Sequence, residues 1–234
     1  METERRHAAH ALGKLFAQVT TSHLEPLFSQ EGIKAALIQI MALAQDMVKN
    51  IDDAQTCAGV ECGPGCSYCC YTQVKLTPAE ALFAFSWIAR EFSDQDQILL
   101  WKRVDSNRRL TEGRSLSARV KIKESTPCIF LKDNKCSIYP VRPFICRSWS
   151  SYSRRACKDA FLTGNHTSEI ETSTSSNFVF SLARQSIQKV CLNHGLEFLP
   201  LELPKAMDCC HTTAVPFNRW LQGGHVFEKI VPHP

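Results

Sequence analysis

The residues of this chain that are best suited to chemistry are its cysteines, of which there are twelve among 234 residues. Four fall within nine residues, in the run Cys62-Gly-Pro-Gly-Cys66-Ser-Tyr-Cys69-Cys70. Thiolates are soft metal ligands, so this spacing predicts three or four sulfur ligands around one point. If a helix begins at Pro64, three of the thiols share one face near its N-terminus, where the helix dipole favours thiolates.

A second group of three cysteines lies further along the chain. Two of them begin short β-prone runs, and residues 132–135 between those runs predict a four-residue hairpin turn. The proline-flanked segment 140–143 predicts the start of a short helix that carries the third cysteine. Small metal sites commonly tie such loops together. The predicted metal ligands are therefore Cys62, Cys66, Cys69, Cys70, Cys128, Cys136 and Cys146.

The identity of the metal follows less directly from the spacing. All-sulfur ligation suits zinc or an iron–sulfur cluster. The C-x3-C-x2-C run from Cys62 to Cys69 has the spacing that cradles a [4Fe–4S] cluster in radical-SAM enzymes, whereas zinc sites usually contain C-x2-C pairs. The chain is too short for the barrel of those enzymes and lacks its alternating strands and helices. We predict an iron–sulfur cluster, with Zn²⁺ as the alternative.

Positive charge is concentrated around the second cysteine group. Residues 102–158 contain fifteen Lys and Arg against four Asp and Glu, although the whole chain carries only +4. This stretch either binds nucleic acid or another polyanion, or compensates metal-bound thiolates. We favour compensation, because no RNA-binding aromatic motif or zinc-finger recognition helix is present. Arg142 and Arg147 flank Cys146, and we predict that they line the centre together with Tyr139.

The remaining cysteines and two histidines are left without a predicted role. Cys209 and Cys210 adjoin a histidine, and these groups either extend the metal centre or are incidental thiols at a helix end. No G-x-S-x-G, P-loop or G-x-G-x-x-G motif is present. The unassigned residues are Cys57, Cys157, Cys191, Cys209, Cys210, His194 and His211.

The elements that position these residues are predicted to be mostly helical. No cysteine precedes residue 57, so residues 1–55 are expected to form an N-terminal helical arm, either packed as a hairpin or binding a partner. Residues 56–160 form the predicted metal-binding domain, in which Thr77, Pro78 and Glu80 predict a capped helix. Residues 161–234 form a C-terminal helical extension. The expected fold is mainly α, with a small β-hairpin and irregular loops tied together by a cysteine-ligated metal centre.

The cellular setting is predicted from what the sequence lacks. A hydrophobic fraction of 44% and a charged fraction of 21% exclude a disordered or collagen-like chain. No apolar run is long enough to cross a membrane, and the N-terminus lacks the apolar region of a signal peptide. We therefore expect a cytoplasmic protein, whose cysteines stay reduced and serve metal or redox chemistry rather than disulfides.

The order of the motifs resembles that of a known family. Residues 57–158 are similar to the YkgJ-type cysteine-cluster family, described as a zinc- or iron-chelating domain. That domain also occurs in proteins similar to flagellin lysine N-methylases, for which an iron–sulfur cluster and methyl transfer are implied. The motifs that carry the resemblance are Cys62-x3-Cys66-x2-Cys69-Cys70, Leu76-Thr77-Pro78-x-Glu80, Cys128-Ile-Phe-Leu131, Cys136-Ser-Ile-Tyr139 and Arg142-Pro143-x2-Cys146-Arg147.

Three functions are compatible with this sequence. The first is an iron–sulfur or iron enzyme that acts on a protein or peptide side chain. The second is a zinc-stabilised binding module whose basic stretch faces an anionic partner. The third is a metal storage or delivery protein. They differ in the metal site, because an enzyme leaves one metal position open, whereas a structural zinc site is closed and its metal is needed for folding.

Overall fold

Ten α-helices and two short antiparallel strand pairs make up the computed structural model, which describes residues 2–24, 28–55, 59–164 and 170–228. The prediction of a mainly α fold with a small hairpin is confirmed. The helices are α1 (Glu2–Leu24), α2 (Gln30–Gln55), α3 (Pro78–Glu91), α4 (Asp94–Thr111), α5 (Leu116–Lys121), α6 (Phe144–Ser148), α7 (Arg154–Thr163), α8 (Thr174–Asn193), α9 (Leu203–Thr212) and α10 (Pro216–Leu221). The strands are β1 (Lys75–Leu76), β2 (Leu131–Lys132), β3 (Lys135–Cys136) and β4 (Leu201–Glu202).

The first two helices form a hairpin that packs on α8. Phe16 of α1 and Leu37 of α2 are fully buried, and so is Ile187 of α8. Within this contact the Thr20 hydroxyl donates a hydrogen bond to the Ser186 hydroxyl at 3.0 Å. The N-terminal arm is thus joined to the C-terminal extension by a shared apolar core. The three-part division of the chain stays a prediction.

Helix α3 begins with the predicted capping box. The Thr77 hydroxyl accepts a hydrogen bond from the Glu80 backbone N–H, and the Glu80 carboxylate accepts one from the Thr77 N–H at 2.8 Å. Glu80 is only 2% exposed, and its other oxygen accepts the Phe144 N–H at 2.6 Å. One buried carboxylate therefore caps α3 and anchors the start of α6, the helix that carries Cys146.

The predicted hairpin is present, although its strands are shorter than the β-prone runs. Leu131 pairs with Cys136 and Lys132 with Lys135. The turn residues Asp133 and Asn134 have φ angles of 50° and 57°. Two consecutive left-handed residues match the twist of a tight hairpin, and Asp and Asn tolerate this conformation better than most residues.

The helix predicted to begin at Pro64 does not form. Gly65 has a φ of 83°, which a right-handed helix cannot accommodate, and the Cys66 N–H closes a turn by donating to the Gly63 carbonyl at 3.0 Å. Only Tyr68–Tyr71 are helical here, as a single 3₁₀ turn. The prediction that three thiols share one helix face was therefore wrong.

The C-terminal part completes the core around the cysteine region. β4 pairs with β1 directly ahead of α3, and α9 packs against α3 and α4. A half-buried ion pair joins Arg119 of α5 to Glu202 of β4 at 2.6 Å. No helix within the described ranges is long and apolar enough to cross a membrane.

Candidate metal centre

The seven predicted ligands come from four segments of the chain that meet beside α3. The loop after residue 59 carries the first two cysteines, and the 3₁₀ turn carries the adjacent Cys69 and Cys70, which we call the vicinal pair. The hairpin region carries two more, and α6 carries the last. The Cys128 N–H donates to the Cys70 carbonyl at 2.6 Å, which joins the vicinal pair to the hairpin. All seven are free thiols, and we call them the cysteine centre. Cys57 lies outside the described residues.

The hairpin and α6 cysteines are partly buried. Burial raises the pKa of Cys128 to about 12, and nearby thiols at Cys136 and Cys69 raise it further. Burial also raises the pKa of Cys146 and of Cys136. Such thiols remain protonated at neutral pH in the metal-free protein, and binding a metal must displace their protons. Metal affinity should therefore increase with pH.

The vicinal pair behaves differently from the other cysteines. A hydrogen bond from the Cys70 thiol lowers the pKa of Cys69 to about 6, and the charge of Arg142 lowers it too. The same hydrogen bond, together with burial, raises the pKa of Cys70. At neutral pH the metal-free centre thus holds one thiolate, at Cys69, which provides a first soft ligand.

This difference predicts the alkylation pattern of the metal-free protein. In the reduced protein, alkylation of Cys69 by iodoacetamide should be half-maximal near pH 6, because only the thiolate reacts. Cys70→Ala removes the hydrogen bond and should move this midpoint towards the ordinary cysteine pKa of about 8.5. Peptide mass spectrometry across a pH series measures both midpoints. A Cys69 midpoint near the ordinary value in the unsubstituted protein would contradict the assignment.

Arg142 provides positive charge within the centre. Its guanidinium lies 5.1 Å from the centroid of the Tyr139 ring, and its charge is among the influences that lower the pKa of Cys69, Cys136 and Cys146. Its Nε is buried and has no hydrogen-bond partner. A buried, unpaired N–H beside several thiols fits an anionic acceptor, such as a metal-bound sulfur.

Arg147 has a different role from the one expected of a residue lining a site. Its guanidinium donates to the carbonyls of Arg142, Tyr139 and Pro140 at 2.8–3.2 Å, and to Gln45 of α2 at 3.1 Å. These bonds hold the turn that leads into α6 against the N-terminal hairpin. Its charge still lowers the pKa of a neighbouring thiol in the centre. The contacts make it a residue that positions the ligands, and its contact with a bound group stays a prediction.

The donor set suits a soft metal, although the thiols are not closed around one point. In the described ranges, no three His, Cys, Asp or Glu side chains converge tightly enough to hold a metal ion as they stand. Sulfur-only donors and a buried cationic N–H nevertheless fit zinc, iron or an iron–sulfur cluster. Metal binding must therefore draw the sulfurs together.

An apolar cavity of about 740 Å³ adjoins the cysteine centre. Cys69 and Cys128 lie in its wall, and Tyr71, Trp149 and Phe161 are among the other residues that line it. Its volume is in the range of small-molecule binding sites. Sequence analysis missed this cavity because its lining comes from α4, α5, α7, α9 and the 3₁₀ turn, and no local pattern indicates that these elements meet.

The C-terminal cysteines and histidines are accounted for by packing. Cys191 and Cys210 are fully buried in the hydrophobic core, where burial raises the pKa of both thiols. Cys209, beside them on α9, is also buried. The rings of His194 and His211 each stack on an aromatic ring with a centroid distance of 4.0 Å. The surroundings of the three cysteines are typical of core residues rather than metal ligands, whereas the two histidines are exposed and their rings pack on aromatic neighbours.

Comparison with known families finds a match in the part of the chain that carries the cysteine centre. Residues 61–176 match the family model CxxCxxCC, described as a "Putative zinc- or iron-chelating domain". The predicted resemblance to this family is confirmed for that part of the chain. The matched segment includes all seven residues of the cysteine centre, and it supports metal binding, by zinc or iron, as the function of this region. No curated protein and no solved structure gives a significant match. The similarity to flagellin lysine N-methylases stays a prediction.

Proposed function

We propose that the cysteine centre holds an iron or iron–sulfur centre and that the protein acts on a protein or peptide side chain. The observation that carries this proposal is the cavity beside Cys69 and Cys128. A closed structural zinc site needs no adjoining space, whereas a reactive metal needs a place for its substrate. Bound iron would supply redox or Lewis-acid chemistry at the cavity wall.

The cavity suits an aromatic or long aliphatic side chain. Tyr71, Trp149 and Phe161 form aromatic walls, and such surfaces favour apolar ligands of that size. The charged Arg119 at its edge is paired with Glu202, so it is not left as an open anion site. These features support an apolar side chain as the group that enters, with the rest of the peptide outside.

The second candidate is a zinc-stabilised binding module. The feature that favours it is the loop before β1, which has one 3₁₀ turn as its only helical segment among residues 59–74 and would gain order from a metal. Its partner would be anionic and would bind the basic stretch of residues 102–158. In this case the metal is needed for folding and is not exchanged during function.

Anaerobic purification followed by metal analysis and absorption spectroscopy separates the two candidates. We expect iron, with the broad visible absorption of thiolate–iron charge transfer. Phenyl isocyanide, an iron ligand about as large as an aromatic side chain, should then shift the spectrum of the wild type. Ala160→Trp, which fills the cavity wall, should retain iron and lose this shift.

Two results would overturn the iron-enzyme proposal. Colourless protein that contains stoichiometric zinc and no iron would exclude an iron centre and support the binding module. Iron-loaded wild type whose spectrum does not respond to phenyl isocyanide would show that the iron is closed to ligands, and would remove the argument for an enzyme. Retention of the response in Ala160→Trp would show that ligands reach the iron by another route than the cavity.

A further inference from the structure

Cys157 is the one cysteine outside the seven predicted ligands that faces them in the described structure. It lies on α7, between two residues that hold this helix against the first cysteine loop. Arg154 donates from its backbone N–H to a Glu61 carboxylate oxygen at 2.6 Å, and from its guanidinium to the Gly65 carbonyl at 3.2 Å. Phe161 packs on the ring of Tyr71 with a centroid distance of 4.8 Å.

The spacing of these contacts orients Cys157. Residues 154, 157 and 161 are separated by three and four positions, so they share one face of an α-helix. The first and last of them touch the segment that carries Cys62, Cys66 and Cys69. Cys157 therefore points towards the same segment, and it lines the cavity together with Cys69.

Cys62 is held towards α7 by the chain that leads into that helix. The Ser151 N–H donates to the Cys62 sulfur at 3.2 Å, and the Ser151 carbonyl accepts the Glu61 N–H at 3.1 Å. An N–H···S bond of this kind commonly supports a metal-bound thiolate. The hairpin and α6, which carry Cys128, Cys136 and Cys146, make neither of these contacts.

The electrostatic neighbours of the loop thiols agree with this geometry. Burial raises the pKa of Cys62, and the thiols at Cys66, Cys157 and Cys69 raise it further. Burial also raises the pKa of Cys66, for which Cys69 and Cys157 are again neighbours, while the cation of Arg154 lowers it. Cys62 and Cys66 thus each lie within electrostatic reach of Cys69 and Cys157, and Cys66 has the cation of Arg154 beside it. Cys69 is also within reach of the hairpin and α6 thiols, as expected of a residue at the boundary between two sites.

We propose that Cys157 completes a four-sulfur site with Cys62, Cys66 and Cys69, adjacent to a second four-sulfur site of Cys70, Cys128, Cys136 and Cys146. This division rests on the proposed metal-binding function and extends it. Four thiolates match the ligand number of one zinc ion or of one iron–sulfur cluster, so each set suits one soft metal centre. A ligand such as phenyl isocyanide would reach iron in such a site by displacing one thiolate. The two sites meet at the vicinal pair, because Cys69 belongs to the first site and Cys70 to the second, and their sulfurs are hydrogen-bonded neighbours.

Zinc titration of the reduced, metal-free full-length protein tests this division. We expect about two equivalents of tightly bound Zn²⁺ per chain for the wild type. Cys157→Ser should bind one of them at least ~100-fold more weakly, since even residues behind the ligands change metal affinity by 10–100-fold. Cys62→Ser should show the same loss, and the double variant should lose no further zinc. The control Cys191→Ala, which alters a buried core thiol, should keep both equivalents.

The outcomes of this titration distinguish the failure of the Cys157 site from the failure of metal binding as a whole. If the wild type binds zinc and Cys157→Ser binds the same amount with the same affinity, the four-sulfur site with Cys157 is wrong, while metal binding stands. If the wild type binds no metal, both fail. Circular dichroism shows whether Cys157→Ser keeps its helix content. If it does not fold, Cys62→Ser on the exposed loop provides the same test, and retention of both equivalents by that variant overturns the proposal.

Discussion

Cys146→Ser is expected to release the metal that the hairpin and α6 cysteines hold, and to remove the stabilisation that this metal gives the fold. Cys146 is carried by α6 in a partly buried position, so serine replaces a soft ligand with a hard hydroxyl that does not ionise at neutral pH. Affinity at that metal position should fall by more than ~100-fold. Inductively coupled plasma mass spectrometry of dialysed protein measures the metal retained per chain.

Thermal unfolding shows whether the lost stability comes from the metal. The metal-loaded wild type should melt at a higher temperature than the chelator-treated wild type, because a ligand that binds only the folded state stabilises it. Cys146→Ser should melt below the metal-loaded wild type, and it should lose the part of the chelator response that comes from the site containing Cys146. Cys191→Ala is the matched control, because it changes a buried cysteine outside the centre and should keep the full chelator response.

One combination of melting temperatures and metal content would contradict the role of Cys146 as a metal ligand. If Cys146→Ser lowers the melting temperature of the loaded and the chelator-treated protein equally and retains its metal, the thiol contributes packing and not ligation. A serine hydroxyl in a partly buried position can cost stability by itself, so the metal content decides between the two explanations. The pH dependence adds a second criterion, since the metal affinity of the wild type should fall as acid protonates the ligands.

Local sequence patterns were sufficient to predict the structure wherever a few neighbouring residues determine it. The capping box at Thr77 and Glu80 depends on two residues three positions apart, and its hydrogen bonds form as predicted. The hairpin turn at Asp133 and Asn134 is likewise local, because these residue types accept left-handed backbone angles. The grouping of the cysteines was predictable from their spacing, and the family match includes them.

Contacts between distant segments could not be predicted in this way. The turn at Gly65 replaces the expected helix because a single left-handed glycine outweighs the helix-starting tendency of Pro64. The cavity, and the approach of Cys157 to the first loop, both depend on α7 lying across the 3₁₀ turn. Neither α7 nor that turn carries a sequence signal for its partner, since the contact is made by ordinary aromatic packing and an arginine–carbonyl bond.

Glu80→Ala is expected to destabilise the protein by about 3 kcal/mol, since it leaves three buried donors without an acceptor and each costs about 1–3 kcal/mol before relaxation. The donors are the N–H and hydroxyl of Thr77 and the N–H of Phe144. Urea unfolding of the metal-free protein measures the change. Glu91→Ala at the end of the same helix removes only an exposed pair with Arg90, so it should stay within about 0.5 kcal/mol of the wild type.

The pH dependence of stability tests whether the buried carboxyl of Glu80 is the cause of this stabilisation. Burial raises the pKa of Glu80 above its ordinary value of 4.5, so the folded state binds a proton more tightly than the unfolded state does. The contribution of Glu80 is therefore largest at low pH and declines as the pH rises from 4.5 towards the higher folded pKa. The stability difference between the wild type and Glu80→Gln should shrink over that interval, and a difference independent of pH would contradict this explanation.

Glu80 also connects the stability of α3 with the geometry of the metal centre. Its carboxylate accepts the N–H of Phe144, the first residue of the helix that carries Cys146, so losing this bond frees that helix to shift. Glu80→Ala should therefore weaken metal binding about 10–100-fold, as expected for a residue that orients a ligand without touching the metal. If the variant loses stability but binds zinc as tightly as the wild type, α6 is held by its other contacts, chiefly the hydrogen bonds of Arg147, and the carboxylate serves the helix cap alone.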